Sequence, residues 1–178
     1  MVAQLQTPSL NVPSDLIYTV PGLVQVFTSS QRSFFTDVMA QAFRIAGQGT
    51  SVLIVQFLKG GINQGHDQPM QLGQNLNWVR CGLPGCIDTS DIDESQKNSL
   101  LDLWRYTQGV VAEGKYELVV LDELSLAINF GLIPKTEVLD FLQKRPRHLD
   151  VILTGPNMPE EILEMADQIT EIRRSHKP

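Results

Sequence analysis

The stretch "VFTSSQRSFFTDVMAQAFRIAGQGTSVLIVQF", residues 26–57, reads as a strand, a loop, a helix and a second strand in succession. Val24, Val26 and Phe27 open it as a buried strand. Phe34, Phe35, Val38, Met39, Ala42, Phe43 and Ala46 then recur at roughly helical spacing, and Gly47 and Gly49 stand where a helix C-cap belongs. Residues 51–57 form an apolar run broken by one Gln, the pattern of a strand covered on both faces. A unit of this kind is the usual frame for a nucleotide phosphate, yet its loop, Thr28-Ser29-Ser30-Gln31-Arg32-Ser33, contains no glycine and no lysine.

Outward from that unit the same alternation continues. Strands are expected at 23–28, 51–57, 76–80, 117–122, 149–154 and 168–172, and helices at 33–46, 93–112, 124–130, 135–144 and from 159. Asp91 and Glu94 are spaced like a capping box for the long helix, and residues 59–75 read as a Gly-rich polar loop. Strands separated by crossover-length helices imply an α/β fold with a mostly parallel sheet and helices on both faces. Residues 1–22, with Pro8, Pro13 and Pro21 and no periodicity, read as an N-terminal arm before a single domain spanning 23–178.

The composition narrows the function classes. With 178 residues the chain is long enough to bury a core without metals or disulfides. A formal charge of -6 argues against broad capture of nucleic acid, which needs clustered Lys and Arg. No apolar run approaches a membrane span, so no membrane partner is expected. Cys81 and Cys86 suit a pair of reduced thiols in a cytoplasmic setting, and no second ligand pair makes them a zinc site. His66, His148 and His176 are scattered, with His66 read as a solvated loop residue. Trp78, in a short strand, reads as core; Leu100, Leu101, Leu103 and Trp104 read as the packing face of the long helix.

In open parallel sheets ligands bind at the carboxyl ends of the strands. There the second strand delivers Gln56 to Gly61, "ELVVLDEL" delivers Asp122 and Glu123, and "LDVILTGPN" delivers Thr154 and Gly155. Two carboxylates ending an apolar run fit a strand that holds a nucleotide's Mg²⁺, and equally a helix N-cap pair. The segments "AFRIAGQGTSVLIVQFLKG", "YELVVLDELSLAINFGLIP", "VLDFLQKRPRHLDVILTGPN" and "ADQITEIRRSHK" together resemble the P-loop type of ATP:corrinoid adenosyltransferase, from Leu23 to Lys177. That resemblance implies a P-loop NTPase architecture of RecA-like type and a homodimer. It also implies ATP with Mg and a corrinoid, whose reduced cobalt attacks C5′ of ATP and displaces triphosphate. By the same resemblance Thr28, Ser29, Ser30, Gln31, Arg32, Ser33, Thr154 and Gly155 are the candidate nucleotide-binding residues, and Asp122 and Glu123 the candidate magnesium ligands.

Three departures stand out against the family pattern. Ser29, Gln31 and Ser33 occupy its glycine positions, Phe34 its lysine position and Phe35 its magnesium-hydroxyl position. Pro156 replaces an arginine after "LTG", and "GLPGCIDTSDID" offers Cys86 and Ile87 where the family places aromatics against the corrin. Arg32 is the one cation in the loop; Phe34 and Phe35 are expected to pack inward and close the pocket. Two readings follow: a diverged adenosyltransferase, or a non-catalytic paralogue acting as a binding or regulatory protein, its pocket closed or reassigned to another ligand or to an unknown protein partner. A recombinase-like ATPase on DNA is opposed by the acidic charge and the same loop.

Overall fold

A computed structural model describes residues 20–62 and 64–173. The proposed arm, except residues 20–22, and the basic tail beyond Arg173 lie outside the described residues. Strands β1 (Val24–Ser29), β2 (Val52–Gln56), β3 (Met70–Leu72), β4 (Leu76–Arg80), β5 (Leu118–Asp122), β6 (Asp150–Pro156) and β7 (Gln168–Ile172) form one sheet in the order β3-β4-β2-β5-β6-β1-β7. All neighbours run parallel except β3, which pairs antiparallel with β4. β3 falls inside the stretch expected to be a loop.

The alternation of apolar residues places a helical layer on each face. Val52, Ile54, Leu118, Val120 and Ile152 point to one side, where α1 (Thr36–Gly47) covers them with Val38, Met39 and Ala42. Leu53, Val55, Val119, Leu121 and Val151 point to the other. There α2 (Glu94–Ala112), α3 (Leu124–Asn129) and α4 (Lys135–Lys144) contribute Leu100, Leu103, Trp104, Ala127, Val138 and Leu142. The short α5 (Glu160–Met165) adds Ile162. Leu100, Leu103 and Trp104 thus form the expected packing face, while Leu101 is only half-buried.

Two helix starts differ from expectation. The capping box of α2 is Asp93 with Gln96: Gln96 N donates to Asp93 Oδ1 at 2.8 Å, and Asp93 N donates to Gln96 Oε1 at 3.0 Å. The Asp91/Glu94 pair is therefore two residues early. α1 begins at Thr36 rather than 33, and its C-terminus falls as expected, with Gly49 at φ 103° just beyond Gln48.

Candidate functional site

The register of the central strands assembles a polar row at their carboxyl ends. Gln56 stands opposite Arg80 of β4 on one side and Asp122 of β5 on the other. By the alternation of each strand all three share the α1-facing side with Ile54, Trp78 and Val120. Arg80 Nε and Trp78 Nε1 donate to Gln56 Oε1 at 2.8 and 3.0 Å, and Gln56 Nε2 donates to Asp122 Oδ2 at 2.7 Å. Trp78 is accordingly a half-buried partner of the row rather than plain core. Lys59 Nζ donates to the same carboxylate oxygen at 2.8 Å, and Thr154 Oγ1 donates to Asp122 Oδ1 at 2.7 Å. Asp122 is 1 % exposed, and a carboxylate so buried persists as an ion only with a cation and hydrogen bonds of this kind.

Glu123, next in the chain, is tied differently. It is 3 % exposed and held at φ 61°, in the left-handed region that a non-glycine residue rarely adopts. Its N–H donates to Thr154 Oγ1 at 3.1 Å, and its carboxylate receives a two-pronged contact from Arg32: Nε to Oε1 at 2.6 Å and Nη2 to Oε2 at 2.8 Å. Arg32 Nη1 also donates to Ile87 O at 3.1 Å and to the Asp88 carboxylate. These partners, the Glu123 hydrogen bond first among them, hold the guanidinium pKa well above its ordinary value.

The two phenylalanines after the loop part company. Phe35 is 2 % exposed and sits among Val38, Met39 and the α1-facing strand residues. Phe34 is 56 % exposed, so the expectation that both rings turn inward holds for Phe35 alone. The Phe34 ring lies beside Lys59, whose Nζ is 4.6 Å from its centroid. Phe35 precedes α1 without any side-chain cap bond.

The segment between β4 and α2 folds down over the strand ends. Ile87 N donates to Leu58 O at 2.9 Å and Gly61 N to Leu83 O at 2.8 Å. At Gly60 an added Cβ would lie 2.3 Å from Gly85 O, so only glycine admits this approach. Leu83 and Ile87 are buried. The two thiols differ: Cys86 is exposed, whereas Cys81 is buried and its pKa is pushed up by burial to about 12.

The predicted nucleotide-binding residues therefore fall into separate groups. Thr28, Ser29 and Ser30 border a cavity of about 320 Å³ shared with Asn157, Met158 and Glu171. Thr28 Oγ1 donates to Gly155 O at 2.9 Å, Asn157 N donates to Ser29 O at 3.0 Å, and Ser29 Oγ donates to Gln31 O at 2.5 Å. Gln31 is exposed and Ser33 half-buried. Arg32 turns away to Glu123, and Thr154 to Asp122. Gly155, at φ 136°, packs so tightly that an added Cβ would lie 2.2 Å from Ser125 Oγ. His66 has its ring 5.5 Å from that of Tyr106, and among the described residues no three His, Cys, Asp or Glu side chains converge to hold a metal. Sequence reasoning missed the roles of Lys59, Gln56 and Asp88. For Gln56 a signal exists, since a lone polar residue ending a buried apolar run needs a partner.

With that geometry in place, comparison with known proteins is decisive for ancestry. A family profile described as "ATP:corrinoid adenosyltransferase BtuR/CobO/CobP" matches residues 21–178. The corrinoid adenosyltransferase of Escherichia coli K12 is 30% identical over 153 residues, covering 85% of this chain and 76% of that protein. The corrinoid adenosyltransferase CobA of Salmonella typhimurium is 29% identical over 153 residues, with coverage of 85% and 76%. An uncharacterized Nostoc protein is 30% identical over 134 residues, 71% of this chain and 35% of its own length. The chain belongs to the ATP:corrinoid adenosyltransferase family.

Proposed function

We propose that this chain is a non-catalytic member of the family, working as a binding or regulatory protein through the inherited fold. The observation that carries the reading is the double ion pairing at the strand ends. Asp122 is neutralised by Lys59 and Glu123 by Arg32, so both carboxylates expected to hold magnesium already have cations from the same chain. Phe35 fills the core at the position of the metal-binding hydroxyl. As arranged, these residues do not fit a magnesium-bound triphosphate. With no replacement cation, freeing either one for a phosphate would strand a buried carboxylate, a penalty of about 2–5 kcal/mol, or roughly one and a half to three and a half decades in Kd.

The enzymatic reading is supported by the corrinoid adenosyltransferases to which the chain is similar and by the cavity of about 320 Å³ bordered by Thr28, Ser29 and Ser30 at the carboxyl end of β1. On that reading the loop 28–33 with Thr154 and Gly155 receives ATP, Lys59 and Arg32 swing to its phosphates, and Asp122 and Glu123 are released to Mg²⁺. A reduced corrinoid is then the second substrate. In either case we take the working form to be a homodimer in a reducing, cytoplasmic compartment, to which the free Cys81 and exposed Cys86 are suited.

Isothermal titration with ATP and Mg²⁺ separates the two. No heat of binding at millimolar ATP is expected. Micromolar binding would overturn the non-catalytic reading and call for an anaerobic adenosylation assay with reduced cobalamin.

A further inference from the structure

The sheet ends in β7, which pairs with β1 and, among the described residues, with no strand on its outer side. All five of its residues are exposed, including Ile169 at 52 % and Ile172 at 38 %. Three apart on a strand, these two isoleucines face opposite sides of the sheet, so among the described residues β7 is covered neither on its two faces nor along its edge. Proteins usually blunt such an edge with proline, lysine, a bulge or very short length. "QITEI" contains neither Pro nor Lys and is continuous with β1 through all five residues. The opposite edge, β3, is only three residues long.

We infer that β7 is a two-fold interface, pairing antiparallel with β7 of a second copy of this chain about Thr170. The inference rests on the homodimer reading above and locates its contact. A two-fold dimer presents the same patch on both copies. For a strand meeting itself, that symmetry requires antiparallel pairing. Because opposed residues in an antiparallel pair face the same side of the sheet, the axis must pass through a residue opposite itself. Charge then chooses among the three central residues. Centring on Glu171 sets it against its own copy; centring on Ile169 sets Asp167 against Glu171 twice. Both place like charges directly opposite, which destabilises a sheet.

Centring on Thr170 sets Asp167 against Arg173 of the second copy at both ends, with Gln168 opposite Ile172 and the two Ile169 side chains diagonal to each other across the axis. The charged ends are available. Asp167 Oδ2 accepts from Val24 N at 2.7 Å while Oδ1 has no partner among the described residues. Arg173 is exposed and, among the described residues, pairs with Glu171 at 2.7 Å. Ile169 and Glu171 also line the cavity beside Thr28–Ser30, so the second copy closes over the rim of that cavity.

The test combines mass and cross-linking. Light scattering of the full chain should give twice the 19.9 kDa of one copy. In a Cys86→Ser background, Thr170→Cys should form an intermolecular disulfide under mild oxidation. Ile169→Cys mixed with Glu171→Cys should cross-link more readily than either variant alone. Ile169→Lys with Ile172→Lys, both exposed positions, should raise the dimer Kd about tenfold or more with the fold intact. A dimer that ignores the lysine variant, and whose Thr170→Cys form never cross-links, would overturn the β7 interface and leave the homodimer standing. A monomer at high concentration would overturn both.

Discussion

Replacing Arg32 with alanine isolates the ion pair on which the functional reading depends. The Glu123 side chain is 4 % exposed and would be left in its site without a cation, whereas Arg32 is 32 % exposed, so some water enters the vacated space. Breaking a buried pair from one side costs about 3–5 kcal/mol; with the discount for partial exposure we expect about 2–3 kcal/mol, a fall in Tm of about 5–10 °C for a chain of this length. Glu123→Gln should cost only about 1 kcal/mol, because its amide oxygen still accepts from Arg32, and Arg32 retains the Ile87 carbonyl and Asp88. The double variant Arg32→Ala with Glu123→Gln should then be no less stable than Arg32→Ala alone, which gives a coupling energy of about 1–2 kcal/mol. Urea denaturation followed by tryptophan fluorescence reads all four proteins, Trp104 being buried and Trp78 bonded to Gln56. If Arg32→Ala falls within about 0.5 kcal/mol of the parent and the double variant is additive, Arg32 does not hold Glu123 in solution, and a triphosphate is no longer opposed by that pair.

Rebuilding a phosphate loop should fail unevenly. Phe34→Lys at an exposed site should change stability by less than about 0.5 kcal/mol at high salt and somewhat more at low salt, where it meets Lys59; Phe35→Thr should cost about 3 kcal/mol or more by emptying a core position. Equal denaturation midpoints for the two variants would contradict the placement of the rings. Gly155→Ala should lose at least about 2 kcal/mol, since the residue sits at φ 136° against Ser125 Oγ, and calorimetry showing an unchanged Tm would refute that packing. A thiol reagent at neutral pH should modify Cys86 promptly and Cys81 only on unfolding. Because the Cys81 pKa is raised to about 12 from 9.0, the folded state keeps a proton that the unfolded state loses between those values, so stability should decline as pH rises above about 9. Two equally fast thiols in the native protein would count against the burial of Cys81.

The fold was legible because its signals are collective. Each central strand is an apolar run whose alternate residues serve opposite helical layers, as Val52 with Ile54 against Leu53 with Val55 make plain. β3 escaped because its three residues are all exposed and leave no buried alternation to read. The α2 capping box was misplaced because Asp91-x-x-Glu94 and Asp93-x-x-Gln96 both satisfy the same spacing, and only the hydrogen bonds distinguish them. Of the candidate site, the strand-end residues were found but their partners were not. The contact between Arg32 and Glu123 joins residues 91 apart in the chain, and no local pattern announces it. The same holds for Lys59 on Asp122, 63 apart.

Those contacts change the meaning of the departures from the family pattern. Read from sequence, the altered loop and the altered segment before α2 look like independent losses. In the folded chain one guanidinium joins them, with Arg32 of the loop holding Glu123 of the carboxylate pair and both Ile87 O and Asp88 of the segment before α2. The segment is further fixed by Ile87 N on Leu58 O and by the contact that only Gly60 permits. Restoring the lysine and hydroxyl of a phosphate loop would therefore leave the carboxylates paired and the covering segment in place. Removing Arg32 alone would take one fastening from that segment, leaving Ile87 N on Leu58 O, without supplying a phosphate ligand. A site recoverable by one or two substitutions would keep its buried carboxylates short of partners. Here every polar atom of Asp122 and Glu123 that the fold buries is already engaged, and the enclosure is stable as it stands.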